Sequence, residues 1–408
     1  MANVPTLSVQ AAWDDAVTGL VVIGQSIIST DTIGGEFAFN SWTNIPECQR
    51  VSIRRGRSGN LSQMDAGRCT LVLFDDEGKY NPLNASSSLN GKLVPMRPVR
   101  VRATDPTTSL THTLFLGFIL EIEYQADPQQ PRAVIQCIDL FEWLDKAYPT
   151  ISSTTDDCGA LIQLILTGIG WTQTALTSID GTGKSMPSFS STGTETGLAL
   201  IKRLLDVDRG LFFVKADGTA RYVSHHTLRG ASSAVATFTQ AQMEAMFPSV
   251  QAQLIVNSQS VTKTGNDAQT ARDQDSQEQY GQRTGSAITS ALLNSDGQAA
   301  SLAEWLVASQ KDPRSPARPV KLKNKADDGT TLTQMLTREL TDIVTLTDSV
   351  YGTAVTGYLD QITHEIWDGG SIMETTFLVT KRNVQEIIIG TSTIQAAHIV
   401  GYGDHNGS

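Results

Sequence analysis

Up to about Ala147, apolar residues alternate with polar ones over short spans that end in Gly, Pro, Asn or Asp, the period-two signature of half-buried strands. Val99, Val101 and Ala103 fall on one side of an extended chain, with Arg100 and Arg102 on the other. Leu116, Phe118, Leu120, Ile122 and Tyr124 make a second apolar face, with Glu121 and Glu123 opposite. Strands apolar on one face predict an antiparallel sheet or barrel. From Asp156 the spacing becomes helical. Leu161, Leu164, Ile165 and Gly168 predict one amphipathic helix behind an Asp cap, and Leu198, Ile201, Leu204 and Leu205 predict a second after Thr194. The second stops near Gly210, and Asp217-Gly218 between two alternating runs predicts a hairpin. Residues 262–286, rich in Gln, Asp, Thr and Ser, are too polar to supply much core and predict a long loop. A helix carrying Leu302, Trp305 and Leu306 comes next, then strands from Ile343 to about Lys381.

The late strands repeat the early ones. Gly117-Phe118-Ile119-Leu120-Glu121-Ile122 and Gly357-Tyr358-Leu359-Asp360-Gln361-Ile362 share the order Gly, aromatic, aliphatic, two variable positions, Ile. Each follows a β-branched strand and precedes another, "RAVIQCID" in one case and "METTFLVT" in the other, so the chain reads as two copies of one β unit. A length of 408 residues suits several domains of about 100–200 residues each.

Charge and cysteine usage narrow the partners. With 31 basic and 42 acidic residues, a net charge of −11, the chain lacks the cationic footprint of a nucleic-acid-binding protein. No basic residue precedes Arg50, so no secretory signal is expected. The longest apolar runs fall well short of the roughly 20 residues that cross a bilayer, and a soluble protein is expected. Cys48, Cys69, Cys137 and Cys158 form no CxxC pair and have no histidine at ligand spacing; they read as reduced core residues, and neither metal nor cofactor is expected.

Arg54, Arg55 and Arg57 around Gly56 could clamp a phosphate, but the Gly-rich strand-to-helix turn that cradles one is missing. Asp75-Asp76-Glu77-Gly78 carries Lys79 and Tyr80 where calcium would need further oxygens, and reads as an acidic turn. His225 and His226, placed at a strand end, would point to opposite faces. His364-Glu365 lacks the second histidine of a helical zinc motif, and no nucleophile elbow is found. An enzyme is not expected.

"VSIRRGR", "AGRCTLVLFDDEGKYNPLN", "GKLVPMRPVRVRA", "LFLGFILEIEY" and "IDLFEWLDKA" together resemble the first half of the minor tail proteins that form the baseplate hub of long non-contractile-tailed bacteriophages. "QYGQRTGS", "AEWLV" and "RELTDIVTLTD" with "GYLDQITHEI" resemble the second half, for coverage of about residues 5–385. The resemblance implies a mainly β fold with an α+β insertion: two similar β-barrel hub domains, residues 1–149 and 248–385, flanking a small α+β domain at 150–247, with a tail at 386–408.

It also implies a homotrimer at the tail tip of the virion, assembled in the host cytoplasm. Its partners would be the distal tail ring protein, the tape-measure protein and other tail-tip or fibre proteins, and DNA would pass through without specific binding. Arg54, Arg55, Arg57, Tyr80, Asn81 and Pro82 become candidates for a subunit or partner interface, with a solvated strand edge the equal alternative for the arginines. The tail segment is expected to touch a neighbour. Two other classes remain, a tail-associated cell-wall hydrolase and a carbohydrate-binding module. The second is disfavoured because Trp143 and Trp305 fall within apolar patterns.

Overall fold

A computed structural model describes residues 3–14, 41–57, 63–127, 129–154, 156–171, 177–181, 183–230, 233–246, 255–311, 318–324, 328–348 and 353–381; the tail at 386–408 lies outside them. The fold is mostly β, organised on one 13-stranded sheet. Six neighbouring strands of it run in the order Cys48–Gly56, Asp65–Phe74, Arg132–Ile138, Thr111–Gln125, Pro98–Thr104 and Thr6–Ala11. Six more run Met243–Met246, Arg318–Lys323, Ile372–Lys381, Thr353–Trp367, Ile343–Asp348 and Ala236–Thr239.

Numbered along the chain, the two sets have one topology. They differ in one direction, since Thr6–Ala11 is antiparallel to its neighbour and Ala236–Thr239 is parallel. Their irregularities coincide as well. The long strands Thr111–Gln125 and Thr353–Trp367 are each 15 residues, and each shifts register against the following strand at the same place, between Ile119 and Glu121 and between Leu359 and Gln361. A second bulge recurs between Cys48 and Arg50 and between Met243 and Ala245.

The bulge explains where the period-two reading slips. An extra residue reverses the alternation beyond it, so Leu120, placed by the pattern on the apolar face, is 38% exposed while Ile119 is buried. Ile122 and Tyr124 return to the core on the far side.

Just before each bulge stands a glycine that packs against the next strand. A Cβ on Gly117 would lie 2.2 Å from the Ile138 carbonyl oxygen, and one on Gly357 would lie 2.3 Å from that of Thr380. Gly117→Ala and Gly357→Ala are therefore each expected to cost about 1–3 kcal/mol through forced backbone shifts. Urea unfolding of both variants checks this, and a neutral result at either position would break the equivalence.

The insertion contains the helices Cys158–Gly168 and Gly197–Asp208. The first is capped by an Asp as expected, Asp157, and the second by Thr196; their side chains accept from Ala160 N–H at 2.9 Å and Ala199 N–H at 3.1 Å. The hairpin Leu211–Val214 and Ala220–Val223 turns at Asp217-Gly218 as expected, and Gly218 has φ +90.

Residues 262–286 are not a loop. They complete the hairpin Ser258–Lys263 and Ala268–Arg272, which packs against the helix Asp296–Gln310, and form the helix Gln274–Tyr280. Side-chain amides organise the segment where apolar groups are scarce. Asn257, wholly buried, donates to the Gly281 carbonyl at 2.9 Å and accepts Arg283 N–H at 2.7 Å; Gln259 donates to the Ser286 carbonyl at 2.6 Å. Fully satisfied polar networks can specify a fold in this way. Among the described residues, no helix is long and apolar enough to cross a membrane.

Candidate functional site

The arginine-rich stretch lies where the two copies of the β unit meet. Cys48–Gly56 from the first copy pairs antiparallel with the second half of Thr353–Trp367, from Gln361 opposite Gly56 to Trp367 opposite Arg50. This pairing joins the two copies into one sheet. At its end Gly56 has φ +99, and a Cβ there would fall 2.1 Å from the Asp360 carbonyl oxygen, so only glycine lets the strands close up.

Arginines of the first copy meet carboxylates of the second along this seam. Arg57 donates to Asp360 twice, from its backbone N–H to the carbonyl at 2.8 Å and from its guanidinium to Oδ1 at 2.9 Å. The Thr380 hydroxyl donates to the other Asp360 oxygen. Arg55, 3% exposed, reaches Glu339 Oε1 at 2.6 Å, and Glu339 Oε2 also accepts Ala216 N–H from the insertion at 3.1 Å. One carboxylate thus ties together the first copy, the insertion and the second copy. Nearer solvent, Arg50 and Ser52 donate to Glu365 at 3.1 and 2.6 Å.

Beneath the seam His364 is buried, with Nδ1 2.9 Å from Thr375 Oγ1. Burial, with the nearby Arg55 charge adding to it, pushes its pKa down from 6.5 to about 3. A cleft of about 200 Å³ opens where the three parts converge, lined by Arg55, Lys215, Arg338, Glu339 and His364 among others.

The six candidate interface residues separate. Arg55 and Arg57 face inward and pair with carboxylates of the second copy in this same chain. Arg54, on the opposite side of the strand, is exposed. Tyr80 is fully buried, donating its hydroxyl to Glu47 at 2.7 Å and packing near Trp13. Asn81 is half-buried and accepts Leu83 N–H at 3.0 Å, leaving Pro82 exposed. The acidic turn is as expected: the buried Asp75 carboxylate accepts the N–H groups of Lys79 and Tyr80, both at 2.7 Å.

His225 and His226 do not point apart. They open a short helix, His225–Gly230, and their rings lie 4.0 Å apart. The Ser224 hydroxyl, accepting Thr227 N–H at 3.2 Å, starts that helix, which an extended reading misses. All four cysteines are buried, and Trp143 and Trp305 pack against the core. Among the described residues no group of three or more His, Cys, Asp or Glu could hold a metal.

Glu339, Asp360 and Glu365 were not singled out in the sequence. Asp360 alone left a trace, as an acid set inside an apolar strand pattern at the position held by Leu120 in the first copy. With each carboxylate engaged by a guanidinium, hydroxyl or amide, the seam is built to hold parts together.

No family model matches the chain, and no curated protein matches it. Solved structures do. A tail protein from Neisseria meningitidis MC58 superposes with a TM-score of 0.58 at 11% identity, over 92% of this chain and 96% of that one. The 43 kDa tail protein of prophage MuSo2 from Shewanella oneidensis gives 0.58 at 12% identity, over 92% and 97%. A PdpA-VgrG complex gives 0.51 at 10% identity, covering 93% of this chain and 64% of the other. The chain therefore has the fold of these tail proteins.

Proposed function

We propose that the chain is a structural protein of a bacteriophage tail tip, forming a trimeric baseplate hub that joins the sixfold tail ring to the central tip around the DNA exit path. The observation that carries this reading is the duplication: six strands in one order, repeated with two bulges and a backbone-packed glycine at matching positions. Three chains would present six equivalent β units, which suits docking of a threefold tip onto a sixfold ring. The fold it shares with two phage tail proteins supports the same reading.

In this role the chain meets the distal tail ring protein above, and the tape-measure protein and other tip proteins within and below. It performs no catalysis itself. Its net charge of −11 suits a channel that lets DNA pass, because an acidic or neutral lining repels phosphate instead of releasing counterions to bind it.

Native mass measurement on assembled tips tests the proposal. Three copies per particle are expected. Six copies would assign the chain to the ring above the hub, and a single copy would sink the reading.

A further inference from the structure

The cleft of about 200 Å³ at the junction of the three parts carries more hydrogen-bond donors than acceptors to receive them. Arg55 and His112 line it from the first copy, Lys215 from the insertion and Arg338 from the second copy. Arg55 Nε, His112 Nε2 and Arg338 Nε are buried without a hydrogen-bond partner among the described residues. Arg55 is the plainest case, 3% exposed as a whole, with Nη1 on Glu339 and Nε on nothing. The Lys215 ammonium meets Asp217 at 3.9 Å, beyond hydrogen-bond reach.

The acids nearby are already occupied. Glu339 accepts from Arg55 and from Leu340 N–H on Oε1, at 2.6 and 2.7 Å, and from Ala216 N–H on Oε2 at 3.1 Å. Asp217 accepts Thr219 N–H at 2.9 Å, and Asp342 accepts Arg338 Nη1 at 3.2 Å and Glu339 N–H at 3.1 Å. Three cations face two carboxylates in the lining, so charge favours an anion there only slightly, and the unfilled donors decide what fits. A buried donor without an acceptor is costly, above all on a cation. Where several line one void, a native structure places a water or an ion. One water offers two lone pairs, whereas a tetrahedral oxyanion presents acceptor oxygens in every direction and forms the stronger, charge-assisted bonds.

We infer that the cleft binds a small tetrahedral dianion, inorganic phosphate or sulfate, which accepts from Arg55 Nε, Arg338 Nε, the Lys215 ammonium and a His112 ring carrying its proton on Nε2. The stretch around Gly56 lacks the glycine-rich turn whose backbone amides cradle phosphate. Side chains brought together from three parts of the chain take the place of that turn. The ion would bridge the first copy, the insertion and the second copy, beside the Glu339 carboxylate that already ties the same three parts. Its binding does not depend on the trimeric hub proposed above.

Titration of the full-length chain with inorganic phosphate tests the site. Phosphate and sulfate also stabilise folded chains by exclusion from their surface, so binding is read from the phosphorus NMR line width of phosphate at constant ionic strength, and not from a melting temperature. Saturable broadening that sulfate reverses is expected. Lys215→Met and Arg338→Gln are each expected to weaken binding about tenfold, the loss of one charge-assisted hydrogen bond. Arg54→Met, on the exposed face of the strand that carries Arg55, is expected to leave binding unchanged. Urea midpoints in chloride establish that each variant folds; if Arg338→Gln does not, Lys215→Met carries the test alone, because the Lys215 side chain is 35% exposed. No saturable broadening by the unmodified chain would overturn the site. Equal affinity in the unmodified chain and Lys215→Met would overturn it by putting the ion elsewhere. A loss in Arg54→Met as large as in Lys215→Met would overturn it too, marking an adventitious ion drawn by surface charge.

Discussion

Replacing Arg57 with methionine is expected to cost about 3–4 kcal/mol of unfolding free energy, because it strands a carboxylate in the seam. The Asp360 side chain is 2% exposed and Arg57 12%, and removing one member of a buried pair leaves a charge that water cannot reach. The Thr380 hydroxyl alone would remain on the carboxylate among the side-chain partners described. Replacing both residues, as Arg57→Met with Asp360→Leu, is expected to recover most of the loss, since apolar pairs of similar volume are often neutral in such places. The solvent-side pair gives the contrast. Arg50 and Glu365 are 49% and 27% exposed, so Arg50→Met is expected to cost at most about 1 kcal/mol. Urea unfolding of the four proteins measures all three differences. If the double variant falls below the Arg57 single variant, the seam is not held by a desolvated ion pair.

What could be read in the linear chain was whatever repeats with a short period. Alternation located the strands around Val99–Ala103 and Ile343–Lys381, and the spacing of Leu161 to Ile165 and Leu198 to Leu205 located two helices. The Gly-aromatic-aliphatic repeat revealed the duplication because Gly117 and Gly357 face one steric demand, a carbonyl pressed against the α-carbon. Phase errors arose where one residue is inserted: Leu120 obeys the alternation in sequence but lies past the point where the ladder slips. Residues 262–286 were misjudged because propensity counts apolar groups, whereas Asn257 and Gln259 organise that segment by hydrogen bonds to backbone. The seam was the least legible part. Arg57 and Asp360 are 303 positions apart, and nothing local to either records the other. The arginines looked available to a neighbour because a neighbour of this fold was, in effect, already present in the same chain.

Acidification is expected to destabilise the chain through His364, and the sign follows from its burial. The imidazole is 2% exposed and sits near the Arg55 charge, so its pKa falls from 6.5 to about 3 in the folded state. Unfolding returns it to water. Above pH 6.5 the ring is neutral in both states and has no effect. As pH falls below that value the unfolded chain takes up a proton that the folded chain refuses, and stability is lost until the folded pKa is reached. Between pH 7 and pH 4 this one group accounts for a loss of about 3 kcal/mol, at 1.36 kcal/mol per unit over the interval where only the unfolded form is charged. His364→Asn keeps a polar atom within reach of Thr375 and cannot titrate, so its unfolding free energy should decline less over the same interval, by about that amount. Carboxylates protonating near pH 4 contribute equally to both proteins and cancel in the comparison. Parallel declines in the two proteins would mean that His364 is charged in the fold, with Arg55 turned away from it. The expected loss also gives mild acid a defined point of attack, because His364 stands opposite Ile53 in the strand pairing that joins the two copies.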